Sequence, residues 1–247
     1  MRKIIFLFAF LFSQSPFFSF SQNKFHNIRF SHLGIEDGLS SSSVYNIIQD
    51  KKGFIWIATD NGLNRFDGYR FKIFTNNPND SASISDNVIV CINSMVEDDE
   101  GKIWVGHRNG GIDVLDPSSE KFIHYKNDPK DSSSLSNDDI RAIIKDENGT
   151  IWIGTARGLN SFDSKTKKFH RYFYYPDESR ADADAIWALH SDKKGKIWIA
   201  SYRGGGLLVF DKGKKKYENR YLNNEKDSTT ISENYLVSIC EDKDGTV

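Results

Sequence analysis

Residues Val44 to Phe74, VYNIIQDKKGFIWIATDNGLNRFDGYRFKIF, fall into four short apolar-rich runs separated by three polar turns. Val44–Gln49 is mixed, Phe54–Thr59 carries β-branched residues around Trp56, Leu63–Phe66 is short, and Phe71–Phe74 is aromatic at both ends. Between them stand Asp50-Lys51-Lys52-Gly53, Asp60-Asn61-Gly62 and Asp67-Gly68. An Asp that opens a turn accepts a bond from nearby backbone, and a Gly that closes it supplies positive φ, so each predicts a hairpin. Three hairpins in a row make a four-stranded antiparallel meander. One such sheet exposes two apolar faces and does not stand alone.

The same unit returns along the chain. Asp-x-x-Gly recurs as Asp98/Gly101, Asp146/Gly149, Asp192/Gly195 and Asp242/Gly245, and Trp follows three residues after Gly at Trp56, Trp104, Trp152 and Trp198, spaced 48, 48 and 46. A Gly ends the second turn (Gly62, Gly110, Gly158, Gly204), an Asp closes the third run (Asp67, Asp116, Asp163, Asp211), and aromatic pairs mark the fourth. A period in the high forties with four strands and one Trp per unit predicts an all-β fold, a β-propeller. Four four-stranded blades are expected at about 40–76, 85–126, 136–175 and 183–222, with the start of a fifth at 232–247. Ile28–Leu33 is expected as a lone strand ahead of blade 1, and Leu236–Val247 as the first strand and turn of the fifth blade. Residues 22–247 would thus form a partial propeller, an incomplete ring belonging to a longer chain. The repeated Trp residues are expected to fill the space between neighbouring sheets, because a feature present in every blade serves the blade.

Composition narrows the setting. The 247 residues are 38% hydrophobic and 13% aromatic, enough for a core. Formal charge is −1; without residues 1–21 it is 31 Lys and Arg against 34 Asp and Glu, a balance that argues against a nucleic-acid partner. Arg2 and Lys3 precede the apolar run Ile4–Phe12, and Ser19-Phe20-Ser21 ends a more polar stretch, which predicts an export signal over residues 1–21. An uncleaved anchor is the alternative, but Ser13-Gln14-Ser15-Pro16 interrupts the run well short of about 20 residues. Cys91 and Cys240, the two cysteines, stand at different positions in their repeats, so free buried thiols are expected rather than a disulfide.

Residues 47–59, IIQDKKGFIWIAT, and 62–68, GLNRFDG, with the Gly38-Leu39-Ser40 lead-in and the Asp-x-x-Gly-x-x-Trp spacing, resemble the two-component regulator propeller repeat. The similarity runs from residue 28 to 247. It implies a seven-bladed ring in the periplasmic sensor half of a hybrid histidine kinase, anchored in the inner membrane, with homodimerisation of the parent. Kinase and receiver domains lie outside the chain, so the resemblance assigns no kinase residue here and this chain is expected not to be an enzyme.

Positions that differ between blades are the site candidates. In a meander, the start of strand one and the second hairpin share a rim. Five residues before each turn Asp stand Tyr45, Asn93, Arg141, Trp187 and Val237; the second hairpins hold Asp60-Asn61, Arg108-Asn109, Ala156-Arg157 and Tyr202-Arg203. Tyr45, Asn93, Arg141, Trp187, Arg108, Arg157, Tyr202 and Arg203 are therefore expected to form a ligand-binding rim. Aromatics with Arg suit a sugar or an acidic sugar, by stacking and forked hydrogen bonds, and a solvated polar rim is the bland alternative. The six histidines show no paired ligand spacing, and no cofactor or metal is expected. Three functions compete: an oligosaccharide-sensing segment of a two-component regulator, a propeller enzyme of polysaccharide lyase or quinoprotein type, and a protein-interaction scaffold.

Overall fold

Each Asp-x-x-Gly turn folds the chain back after about six residues, and the result in the computed structural model is four antiparallel sheets, each ordered as in sequence. Residues 30–91, 94–175 and 184–247 are described; they cover most of the unit Leu33–Val247 and, of the unit Met1–His32, only Phe30–His32. Blade 1 is β1 (Val44–Gln49), β2 (Ile55–Thr59), β3 (Gly62–Phe66) and β4 (Phe71–Phe74). Blade 2 is β5 (Met95–Glu97), β6 (Ile103–Gly106), β7 (Ile112–Asp116) and β8 (Lys121–Tyr125). Blade 3 is β9 (Ile140–Lys145), β10 (Ile151–Thr155), β11 (Leu159–Asp163) and β12 (Lys168–Tyr172). Blade 4 is β13 (Ile186–Ser191), β14 (Lys196–Ser201), β15 (Gly206–Asp211) and β16 (Lys216–Tyr221). Successive first strands β1, β5, β9 and β13 lie against one another while the fourth strands make no comparable contact, so the sheets fan out from one side as propeller blades do. The array is open: on β1, Val44, Tyr45 and Ile47 are exposed.

The expected Trp–Asp recurrence has a physical basis. Asp50 Oδ1 accepts the amides of Lys52 and Phe54, each at 2.9 Å, and Asp50 Oδ2 accepts Trp56 Nε1–H at 2.8 Å. Trp104, Trp152 and Trp198 donate to Asp98, Asp146 and Asp192 at 2.9 Å in the same way. One carboxylate thus closes the turn and fixes the ring that packs on the next sheet. Trp56 belongs to a core with Ile103, Leu115 and Phe122 of blade 2, Trp104 to one with Ile140, Ile153 and Phe162 of blade 3, and Trp152 to one with Ile197, Ile199 and Phe210 of blade 4. Trp198, with no further blade described beside it, is only half-buried.

The joints between blades repeat as well. Gly62, Gly111, Gly158 and Gly206 donate their amides to the carbonyls of Asn87, Asp138, Asp184 and Asn234, in the segment leading into the next blade. This identifies the equivalent glycines of blades 2 and 4 as Gly111 and Gly206 rather than Gly110 and Gly204, because those hairpins are longer. The position demands Gly twice over: φ is positive, and a Cβ on Gly62 or Gly206 would lie 2.7 or 2.2 Å from the carbonyl oxygen of Phe74 or Tyr221. A polar seam backs the joint in blades 1 and 3. Ser40 Oγ meets Thr59 Oγ1 at 2.9 Å and accepts Asn64 Nδ2–H at 2.7 Å; Ser136, Thr155 and Asn160 repeat the arrangement at 3.0 and 2.8 Å.

Two expectations are modified, and others lie outside the described residues. Of the lone strand Ile28–Leu33, residues 28 and 29 lie outside the described residues and Phe30–Leu33 joins no ladder. The export signal and residues 176–183, which depart from the other lead-ins, also lie outside them. The fifth unit forms its turn, with Asp242 Oδ1 accepting the Asp244 and Thr246 amides at 2.9 Å, but Leu236–Glu241 is not a strand, since among the described residues no second strand pairs with it. Leu236 N–H donates to Ser201 O at 3.0 Å, and Glu241 Oε2 faces His190 Nε2 at 2.7 Å.

Trp152→Ala should cost about 3–5 kcal/mol by emptying an interblade core, and Asp146→Ala about 1–3 kcal/mol by orphaning the indole and two amides. Denaturant unfolding of both variants and the double should show the double costing less than the sum; strict additivity would remove the indole bond from the account.

Candidate rim site

A strand keeps its side chains alternating between faces unless a bulge inserts an extra residue and re-aims one of them. The first strands of three blades carry such a bulge at one end. Val44 pairs with Thr59 and Asn46 with Ala58, which leaves Tyr45 out of register. Ile140 pairs with Thr155 and Ala142 with Gly154, which leaves out Arg141; Ile186 pairs with Ser201 and Ala188 with Ala200, which leaves out Trp187. The three unpaired residues are the variable positions singled out in the sequence. Asn93, their counterpart in blade 2, lies outside the described residues; there β5 begins only at Met95 because extra residues separate Ile89 from the strand.

Contacts gather some of these residues and leave others apart. The Arg141 guanidinium lies 5.0 Å from the Trp187 ring centroid and bonds Asp139 Oδ2 at 2.6 Å. Tyr202, from the β14–β15 hairpin, stacks on Trp187 with centroids 4.6 Å apart and planes 28° apart. Tyr235, from the segment after blade 4, meets Tyr202 edge-on at 6.2 Å. The row Arg141–Trp187–Tyr202–Tyr235 thus crosses from blade 3 over blade 4 to the fifth unit. Tyr202 is 43% exposed and Tyr235 61%, so aromatic surface at this end of the row is open to solvent, whereas Trp187 is already stacked. Arg157 stands elsewhere: it lies 5.5 Å over Phe173. Together with Arg220 it acts on Asp184, whose carboxyl is raised by burial against the pull of the Tyr175 and Tyr174 amides and both arginines. Tyr45 and Arg203 are exposed, and Tyr45 makes no ring contact with the row.

The sequence reading missed Tyr235, Asp139 and Cys91. Val88, Asp139, Ala185 and Tyr235 each stand directly before the apolar residue that leads into a unit's first run (Ile89, Ile140, Ile186, Leu236), so reading one place upstream would have exposed a second varying position. Cys91 is buried and donates its thiol to the Ile140 carbonyl at 2.9 Å. Burial pushes the thiol up to about 11, with the Asp139 charge adding to it and Arg141 and Arg108 opposing. Arg108 stands exposed in the β6–β7 hairpin. Both cysteines are free, but Cys240 is exposed, against the expectation that both are buried.

Chemically the row offers ring faces and guanidinium donors and no nucleophile–base pair. Among the described residues no three His, Cys, Asp or Glu side chains converge as metal ligands, and no helix is long and apolar enough to cross a membrane.

An open fan of four-stranded blades carrying a varied rim defines a repeat-built propeller segment. Its repeats are similar to the two component regulator propeller, whose family model matches residues 38–61, 83–109 and 134–157. A curated relative, Histidine kinase P4 of Formosa agariphila, is 48% identical over 85 residues, 34% of this chain and 6% of the relative. A B. thetaiotaomicron structure described as the extracellular domain of the hybrid two component system BT3049 superposes with a TM-score of 0.66 at 31% identity, over 76% of this chain and 26% of that one. Virginiamycin B lyase from Staphylococcus aureus shares the fold alone, at a TM-score of 0.52 and 14% identity over 71% of this chain and 54% of that one. This chain spans about a quarter or less of the length of the two regulators it resembles.

A thiol reagent at pH 8 should find one reactive cysteine in the folded chain, Cys240, and two after denaturation. Prompt reaction of both in the folded chain would mean that blades 2 and 3 do not enclose Cys91.

Proposed function

We propose that this chain is the ligand-sensing propeller segment of a hybrid two-component regulator, exported to the periplasm, with an oligosaccharide as its ligand. The observation that carries the reading is the row Arg141–Trp187–Tyr202–Tyr235, built on residues that vary against an otherwise repeated frame. Sugar rings present C–H faces that stack on aromatic rings, and their hydroxyl or acidic groups accept from guanidinium. The exposed Tyr202 and Tyr235 rings supply the first; Arg141, Arg108 and Arg203 supply the second. Similarity to an extracellular domain of a hybrid two-component system and to a named histidine kinase supports the sensory setting. In the parent protein, binding on the rim would bias how the blades pack against the following domains, and through them a kinase; a second parent copy would complete the signalling unit.

Calorimetric titration of the full chain with a panel of neutral and acidic oligosaccharides should find a binder. Tyr202→Ala should weaken it about tenfold or more, the loss of roughly 1.4 kcal/mol expected for a contacting aromatic. Binding that Tyr202→Ala and Tyr235→Ala both leave intact would move the site off this rim, and no binding across the panel would count against a sugar.

A further inference from the structure

Blade 2 departs from the neutral seam of its neighbours. Where blades 1 and 3 place Ser–Thr–Asn, blade 2 places Ser85, His107 and Asp113. Asp113 is fully buried; its Oδ2 accepts the Ser85 amide at 2.7 Å and faces His107 Nε2 at 3.0 Å. Its Oδ1 faces Nδ1 of His124, the residue opposite it on β8, at 2.6 Å. His124 Nε2 faces the Ser81 carbonyl, 2.9 Å away in the segment joining blades 1 and 2.

These partners determine where the protons sit. A carbonyl accepts only, and so does a carboxylate, so His124 satisfies both neighbours only by donating from both ring nitrogens, as imidazolium. His107 has one partnered nitrogen, Nε2, while its buried Nδ1 has none. The neutral Nε2–H form suits it, because a proton on Nδ1 would be a buried donor without an acceptor. Burial alone would raise the Asp113 carboxyl, but donors from His107, Ser85 and His124 outweigh it and hold the group below the usual carboxylate range. Asp113 is thus an anion, and of the two imidazoles that face it only His124 has an acceptor for each of its ring N–H groups.

Blade 3 shows what the position does when it cannot titrate. Arg171 stands opposite Asn160 as His124 stands opposite Asp113. It donates to the Ser134 and Asp131 carbonyls, at 2.8 and 2.7 Å, in the segment joining blades 2 and 3. A permanent cation in blade 3 and an ionisable one in blade 2 hold equivalent connecting segments.

We propose that His124 is a pH-sensitive latch between blades 1 and 2: protonated, it ties the connecting segment at Ser81 to the buried Asp113, and on deprotonation it releases one of the two. The ionisable side chains of the cluster are Asp113 on β7, His107 beyond β6 and His124 on β8. From the connecting segment come the Ser81 carbonyl and the Ser85 amide, while Asp80 turns its carboxylate back on the Ala82 amide. The sign follows from which form the closed latch holds. The closed latch holds the imidazolium form, so its contribution is present at acid pH and is lost as pH rises and the ring gives up a proton. At the acid end it is lost when Asp113 is protonated, below the usual carboxylate range.

Thermal unfolding of the full chain from pH 5.5 to 8.5, beside His124→Arg, tests this. Wild type should lose roughly 3–6 °C more than the Arg variant across that range, the shift expected for one charge-assisted bond in a chain this size. Parallel curves would overturn the latch; pH effects elsewhere in the chain cancel in the comparison. Should the variant not fold, imidazole ¹⁵N shifts of His124 in the wild-type chain decide. Both nitrogens protonated at pH 5.5 and one at pH 8.5 is the expected result; a ring already neutral at pH 5.5, or still charged at pH 8.5, overturns it.

Discussion

One carboxylate per blade, bonded at once to two turn amides and an indole, is the interaction on which the remainder of this architecture rests. The turn needs an acceptor for backbone N–H groups that the hairpin leaves unmatched, and the Trp needs a partner for its single polar atom before it can enter an apolar interface. Asp50, Asp98, Asp146 and Asp192 answer both needs with one side chain. The ring is thereby set at a fixed height and angle, and each sheet meets its neighbour in the same way. Everything above the turn, including the rim, inherits its position from that repeat.

The parts that were legible in the sequence are those for which one residue type is obligatory. Asp at the head of a turn, Trp three places after Gly and paired aromatics in the last strand gave four blades whose strands fall where the runs are: Val44–Gln49 is β1 as read. What was obscured depends on insertions. The longer β6–β7 and β14–β15 hairpins put the obligatory glycine at Gly111 and Gly206, while Gly110 and Gly204 offered plausible decoys. The extra residues after Ile89 leave β5 only Met95–Glu97, a shortening that the apolar run Val88–Ile92 ahead of it did not reveal. A strand also requires a partner, and for this reason Leu236–Glu241, apolar enough by pattern, joins no ladder among the described residues.

The rim was legible in part and for a reason that geometry supplies. Counting back from each turn Asp found Tyr45, Arg141 and Trp187 because those positions are free to vary, and they are free because the bulge takes them out of the pairing register. Which of them meet was not legible. Contact between Arg141 and Trp187 crosses a blade boundary, and Tyr202 reaches Trp187 only through the shape of a hairpin two residues longer than that of blade 1. The histidines illustrate the same limit: His107 and His124 lie 17 positions apart in sequence and share no motif, yet the β6–β7 hairpin brings the first to Asp113 and the pairing of β7 with β8 brings the second.

A bulge residue donates nothing to the ladder and fills nothing in the core, so its identity is nearly decoupled from whether the blade folds. Any side chain can be tried there at little thermodynamic risk. A molecule assembled from such blades can therefore drift toward new recognition by single substitutions, one blade at a time. Rigid duplication of the scaffold and rapid turnover of its displayed chemistry become compatible within one gene.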